Sequence, residues 1–303
     1  MARELRHIPV LAEPVLQILS PLPGCTIVDC TLGLGGHSSL MLRKISPGGT
    51  LVAFDFDAAN IARASEKIKS LTSDALVHLV HSNFAAIDHQ LHALGISQVD
   101  GILADLGVAS PQIDDPQRGF SYRKPGPLDM RMDTTRGQPA STLINRMAES
   151  ELRDAMLELG DETDSPKIAR LIVERRVPSP IMTTEALTAI ICEARDFTLQ
   201  RAAGAKLHPA ARAFQAFRML VNREIGNLDR LLAVAPALLK PNGIIAIISF
   251  HSGEDRPVKH AFRDGLKQGT YSEISEEPII ASEKECQENP RSRSAKLRWA
   301  RRA

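Results

Sequence analysis

Three aspartates each close a short apolar run. Asp29 follows Thr26-Ile27-Val28, Asp55 follows Thr50-Leu51-Val52-Ala53-Phe54, and Asp105 follows Val99-Asp100-Gly101-Ile102-Leu103-Ala104. Such runs, rich in β-branched residues and bounded by turn residues, read as buried strands. A carboxylate at a strand's carboxyl end accepts hydrogen bonds from a hydroxyl or an amine, and three on one rim make a site. Between the first two lies Thr31-Leu32-Gly33-Leu34-Gly35-Gly36-His37-Ser38. Glycine lets the backbone approach a ligand closely, and the helix behind such a turn offers unpaired N–H groups. Strand, glycine turn and helix together form a cradle for a nucleotide cofactor. A tight structural turn would also account for the glycines, so Asp55 matters: about twenty residues on, it can accept both ribose hydroxyls. The dinucleotide fingerprint wants a small third residue where Ser38 stands, and Gly36 directly after Gly35 suits an uncharged adenosine or methionine moiety. These residues fit either NAD or S-adenosylmethionine.

The elements that must hold these groups alternate. A short helical pattern from His7 to Ser20 comes first, with Val15, Leu16 and Leu19 on one face. After the second strand, Asp57 or Asn60 can cap a helix carrying Ile61, Ala64 and Ile68. Leu76–Val80 is a third strand, with Asn83-Phe84 at its carboxyl end, and a helix through Ile87, Leu91 and Leu94 leads to the Asp105 strand. Phe84 suits an adenine ring or plain core packing equally well. This order predicts an α/β protein with a parallel sheet, right-handed crossovers and ligands beyond the carboxyl ends of the strands.

The composition is that of an ordinary globular chain: 303 residues, 43% hydrophobic, formal net charge +1. No apolar run is long enough for a membrane span, and Met1-Ala2-Arg3-Glu4 lacks the apolar core of a signal peptide. Cys25, Cys30, Cys192 and Cys286 lack zinc spacing and read as reduced thiols, which points to the cytoplasm.

The alternation breaks after Asp105. Residues 106–139 read as a long loop carrying Arg118, Phe120, Tyr122, Arg123, Lys124, Arg131 and Arg136. Cations interleaved with aromatics suit an RNA backbone and an unstacked base; the alternative is a solvated loop packed by its own aromatics. Residues 140–207 read as helical, with Ser150, Ser165-Pro166 and Thr183 or Thr184 as helix starts. His208-Pro209 opens a long helical pattern to Leu232, with a break expected at Pro236. Pro241-Asn242-Gly243 turns into a fifth strand, Ile244–Ile248, followed by Ser249-Phe250-His251-Ser252-Gly253-Glu254-Asp255. His251, Glu254 and Asp255 have a metal-like composition, but their local spacing does not make a ligand set. The tail from Asn289 to Arg302 carries six cations and no acid, which suits either phosphate contact or a solvated terminal strand.

Taken together, several segments resemble a known family. They are Asp29 to His37, Asp100 to Gly107, Arg118-Gly119-Phe120-Ser121, Pro127-Leu128-Asp129-Met130-Arg131-Met132, Phe214-Gln215-Ala216, Ser249-Phe250-His251-Ser252 and Asn289 to Ser294. The chain resembles the bacterial ribosomal RNA small subunit methyltransferase H family, also called MraW, from about His7 to the C-terminus. The resemblance implies a class I, Rossmann-like methyltransferase sheet with an inserted helical domain. It also implies methyl transfer from S-adenosylmethionine to N4 of a cytidine in the decoding centre of 16S ribosomal RNA, within the small subunit. It places cofactor contacts at Gly35, Gly36, His37, Asp55, Phe84, Asp105 and Gln112. The family carries a leucine where Gly253 stands, an aliphatic residue at Pro257 and a threonine at Ala211.

The chemistry of an amine acceptor agrees with this reading. The lone pair of the exocyclic amine is delocalised into the ring, so it must be aimed at the methyl carbon. Asp105-Leu106-Gly107-Val108 stands where amine methyltransferases often carry Asn/Asp-Pro-Pro-aromatic, and Asp105 is the expected catalytic residue. The expected division is a methyltransferase domain at 1–113 and 208–303, with a substrate-recognition insertion at 114–207. No metal and no membrane are expected, and a homodimer stays open. An NAD-dependent oxidoreductase is the first rival, opposed by the Ser38 mismatch and the basic tail. A non-catalytic RNA-binding factor on the same fold is the second.

Overall fold

The computed structural model describes residues 9–205 and 207–303. His7, Ile8 and the segment 1–4 lie outside the described residues. The chain divides into two compact units, Met1–Gly107 with Gly226–Ala303, and Val108–Ile225.

The first unit opens with α1 (Ala12–Leu19), β1 (Thr26–Asp29), α2 (Gly36–Ile45), β2 (Thr50–Asp55), α3 (Ala58–Lys69), β3 (Leu76–His81), α4 (Ile87–Ala93) and β4 (Val99–Asp105). Asp57, rather than Asn60, caps α3, accepting the N–H of Ala59 at 3.0 Å. The second unit holds α5 (Ser110–Asp114), α6 (Ala140–Arg146), α7 (Glu149–Gly160), α8 (Ser165–Arg176), α9 (Thr184–Ala194), α10 (Leu199–Ala203) and α11 (Ala211–Asn222). Then come α12 (Glu224–Leu238), β5 (Leu239–Ser249), α13 (Ser252–Lys267), β6 (Tyr271–Ile274), β7 (Ile279–Ile280), α14 (Glu283–Glu288) and β8 (Lys296–Arg302).

The sheet runs in the order β3-β2-β1-β4-β5-β8-β6, with β7 beside β8. The pairs among β1 to β5 are parallel, while β8 is antiparallel to β5, β6 and β7, so the sheet is mixed rather than wholly parallel. Because side chains alternate along a strand, the parallel strands feed two cores. On one face Ile27, Leu51, Ala53, Leu103 and Ala246 pack with Val15 and Leu19 of α1, Met41 of α2 and Ile68 of α3. On the other, Val28, Val52, Ile102 and Ile245 pack with Leu91 of α4, Leu228 of α12 and Phe262 of α13. The second half of the basic tail is therefore sheet, as β8: Arg298 is 4% exposed and its Nε reaches Asp255 Oδ1 at 2.6 Å.

The second unit has its own core, in which Phe214 and Phe217 of α11 pack with Leu152 and Met156 of α7. A Cβ on Gly160 would stand 2.5 Å from the Arg212 carbonyl oxygen, so glycine permits the close approach of α7 and α11. This packing moves the boundaries from the expected 113/114 and 207/208 to 107/108 and 225/226. The long helix breaks at Arg223, which has φ 51 and ends α11; α12 runs on through Pro236. At α7 the N-cap is Ala148, not Ser150, and Glu151 accepts the Ala148 N–H at 2.7 Å. Asp164 precedes Ser165-Pro166 as the N-cap of α8, and Thr183 caps α9.

Candidate active site

Pairing of β1 with β2 and β4 sets the three aspartate-bearing strand ends side by side. Asp29 is 1% exposed; its Oδ2 accepts the Ser38 hydroxyl at 2.6 Å and its Oδ1 the Thr31 N–H at 3.0 Å. Burial raises its carboxyl above the ordinary range, against the pull of these bonds. Asp29 therefore holds the glycine turn and the first turn of α2 in place. Thr31 passes the restraint on, because its hydroxyl accepts the Asp105 N–H at 2.7 Å.

The turn needs its glycines. Gly33 and Gly35 have φ 51 and 71, values that L side chains rarely adopt. A Cβ on Gly36 would stand 3.1 Å from Pro9 Cβ.

Asp55 supports the turn from the other side. Its Oδ2 accepts the Gly33 N–H and its Oδ1 the Asp57 N–H, both at 2.8 Å, while Asn60 Nδ2 stands 3.3 Å from Oδ2. Burial, the largest influence, raises Asp55 to about 6. Asn60 Nδ2 also reaches Oδ1, at 3.4 Å, so each oxygen accepts two bonds, and the long Asn60 contacts are the ones a hydroxyl would displace. Phe84 opens a 3₁₀ turn behind Asn83 and packs half-buried against the core that holds Phe54.

Asp105 differs from the other two in keeping an oxygen without a partner. Its Oδ1 is buried with no hydrogen-bond partner among the described residues, while 24% of its side-chain surface stays open. Its Oδ2 stands 3.7 Å from Nε2 of the buried His37. Burial first, then the charges of Asp29 and Glu254, raise it to about 8.

Gln112 lies in the second unit, buried in α5, where its Oε1 accepts the Ala109 N–H at 2.9 Å. In that unit the loop cations expected to meet RNA are largely engaged. Arg118 donates to the carbonyls of Arg131 and Met132 at 2.9 Å, Arg131 pairs with Asp129 at 2.7 Å, and Lys124 meets Asp114 at 3.1 Å. Phe120 is buried, and Tyr122 stacks on His208 at 4.5 Å with Phe214 edge-on at 5.8 Å. The loop is thus packed by its own aromatics, as the second of the two sequence readings expected. The charges after β5 are also engaged: Asp255 with Arg298, and Glu254 with Phe250 and His251. Among the described residues no group of three His, Cys, Asp or Glu could hold a metal.

The sequence profile of the MraW methylase family matches residues 4–303. The chain belongs to this family. It is 42% identical to ribosomal RNA small subunit methyltransferase H of Acidobacterium capsulatum, over 99% of both chains. It is 43% identical to the protein of the same name from Pelobacter propionicus, over 97% of both. It is 41% identical to that from Sorangium cellulosum, over 98% of this chain and 91% of the relative. As an MraW methylase the chain is a methyltransferase, and its cofactor is S-adenosylmethionine. The residues present suit that cofactor: a glycine turn with φ values that favour glycine, a carboxylate at the end of β2 that holds the turn, and the unpartnered Asp105 Oδ1. The membership removes the oxidoreductase reading.

Sequence reasoning missed Thr31 and Ser38, the two residues that tie the turn to Asp29 and Asp105. Both lie in the segment between the first two aspartates, and their short polar side chains beside a buried Asp were the available signal.

Proposed function

We propose that this methyltransferase transfers the methyl group of S-adenosylmethionine to N4 of a cytidine in the decoding centre of 16S ribosomal RNA. The observation that carries this reading is Asp105, a strand-end carboxylate with one oxygen buried and unpartnered beside the glycine turn. The full-length relatives, each named a small subunit ribosomal RNA methyltransferase, supply the substrate class.

In this reading Gly35, Gly36 and His37 lie along the methionine portion, Asp55 accepts the ribose hydroxyls, Phe84 meets the adenine, and Gln112 is a further cofactor contact. S-adenosylmethionine supplies a methyl group on a positively charged sulfur. A positive charge nearby favours ionised Asp105, whose pKa of about 8 reflects burial and two like charges. Ionised Asp105 accepts one N4–H and turns the nitrogen lone pair toward the methyl carbon. The chain forms no covalent intermediate; positioning at about 3–3.5 Å and exclusion of water supply most of the rate.

The second unit is assigned to substrate recognition. The same reading puts the protein in the cytoplasm with the small ribosomal subunit as partner; a homodimer is compatible with it. No helix among the described residues is long and apolar enough to cross a membrane. Incubation with isotopically labelled cofactor and either naked 16S RNA or small subunits, followed by mass-spectrometric nucleoside mapping, tests the proposal. Label on N4 of one decoding-centre cytidine is expected; label on another base, or none on either substrate, refutes it.

A further inference from the structure

A methyl transfer to an amine must also dispose of a proton, and a second group beside Asp105 is built to receive one. Glu254, in the first turn of α13, is 2% exposed. Its Oε2 accepts the Phe250 N–H at 2.9 Å, and its Oε1 stands 3.2 Å from Nε2 of His251. Both ring nitrogens of His251 are buried and neither makes a hydrogen bond among the described residues, so the approach of Nε2 to Glu254 is a charge contact and Nδ1 faces no polar partner. A buried polar atom left without a partner is costly, so its retention calls for a function.

The fold places this pair on the same rim. In the parallel β4–β5 ladder Asp105 lies opposite Ile248, and the Leu106 N–H donates to the Ile248 carbonyl at 2.9 Å. His251 follows three residues beyond that register partner. A Cβ on Gly107 would stand 3.6 Å from the Phe250 ring, so the segments leaving the two strands run close together. The Glu254 charge acts on Asp105.

We propose that His251 is the catalytic residue that takes the proton released by the target amine, with Glu254 as the positioning residue behind it. The inference rests on the amine-methylation reading above. The Glu254 carboxylate 3.2 Å from Nε2 favours the hydrogen on that nitrogen, which leaves Nδ1 with its lone pair. As the amine nitrogen bonds to the methyl carbon, the carbon–sulfur electron pair stays on sulfur, which becomes a neutral thioether. The surplus N4 proton moves to Nδ1, and the Glu254 carboxylate balances the imidazolium charge. Asp105 orients the amine, and His251 clears the proton.

The test is single-turnover methyl transfer to small subunits at saturating S-adenosylmethionine, with cofactor affinity measured alongside. His251→Ala is expected to slow transfer by about a hundredfold, the lower range for loss of a general base, with affinity within about twofold of the parent. Added imidazole should restore at least about tenfold, a rescue that a packing role would not give. Glu254→Gln, which keeps an acceptor for Phe250, should slow transfer about tenfold. If His251→Ala does not fold, His251→Gln takes its place, without the imidazole arm, and the same hundredfold loss is expected. A folded His251 variant transferring within threefold of the parent overturns the assignment, as does a slow His251→Ala that imidazole leaves unchanged. A parent protein that does not methylate an amine overturns the underlying reading instead.

Discussion

The Thr31 hydroxyl accepts the backbone N–H of Asp105 at 2.7 Å, while the Thr31 N–H donates to Asp29 at 3.0 Å. One side chain thus fixes the end of β4 relative to the turn after β1. Thr31→Val keeps the shape and removes the acceptor, leaving the Asp105 N–H unsatisfied. A drop of about 1–3 kcal/mol in stability is expected, together with slower turnover. Chemical denaturation and steady-state kinetics check this; an unchanged variant would show that the bond restrains nothing.

Asp55 serves two purposes in this account. Asp55→Ala should weaken S-adenosylmethionine binding by about 1.5–3 kcal/mol, the range for hydrogen bonds to charged groups. It should also lower the melting temperature, because Gly33 and Asp57 lose the acceptor for their N–H groups. Calorimetric titration and thermal melting measure the two effects; unchanged affinity would reduce Asp55 to a brace for the turn.

The pH dependence of stability follows from the raised carboxyls. Asp105 near 8 and Asp55 near 6 both lie above their ordinary value of 3.8, so the folded state binds their protons more tightly than the unfolded chain does. Their contribution is fully present below about pH 4 and is lost as pH rises through about 6 for Asp55 and about 8 for Asp105. Asp105→Asn should therefore melt higher than the parent at pH 8, with the advantage shrinking toward pH 5. Each kcal/mol of difference corresponds to about 2–4 °C. Parallel melting curves across that range would contradict the raised Asp105.

The basic tail divides into two groups. Arg298 is buried against Asp255, and Arg298→Ala leaves a buried carboxylate unpaired, at an expected cost of about 3–5 kcal/mol. Arg291 and Arg293 are exposed in the turn before β8. Neutralising these two should spare stability and flatten the salt dependence of RNA binding, by about 0.7 in slope for each phosphate that no longer meets a cation. Filter binding across a salt series reads this directly, and an unaltered slope would leave them as solvated charges.

These contrasts show what local sequence can carry. The β1–α2 turn, the strand-end aspartates and the Asp57 cap were legible because glycine, β-branched runs and capping residues act within a few positions. The placement of β8 between β5 and β6 was not, because Arg298 reads as a solvated charge until Asp255, 43 residues away in sequence, is brought to it. The break at Arg223 was equally hidden: a non-glycine residue in the left-handed region carries no local marker. The loop aromatics left RNA contact and self-packing both open because Tyr122 finds its partner His208 only through the fold. His251 and Glu254 suggested metal by composition, whereas geometry shows a carboxylate–imidazole pair.

The role proposed for Asp105 is to orient the amine in the transition state instead of only holding the cofactor. The measurement is single-turnover methyl transfer by Asp105→Asn with saturating S-adenosylmethionine and small subunits. The substitution keeps size and one acceptor oxygen but removes the charge, and its amide can present N–H to an amine that is itself a donor. An interaction made fully only in the transition state lowers turnover when removed, whereas removing a uniform cofactor interaction raises the Michaelis constant and spares turnover. For that role a drop of about a hundredfold or more in the single-turnover rate is expected, with a smaller drop in cofactor affinity. A normal single-turnover rate would contradict it and confine Asp105 to cofactor binding.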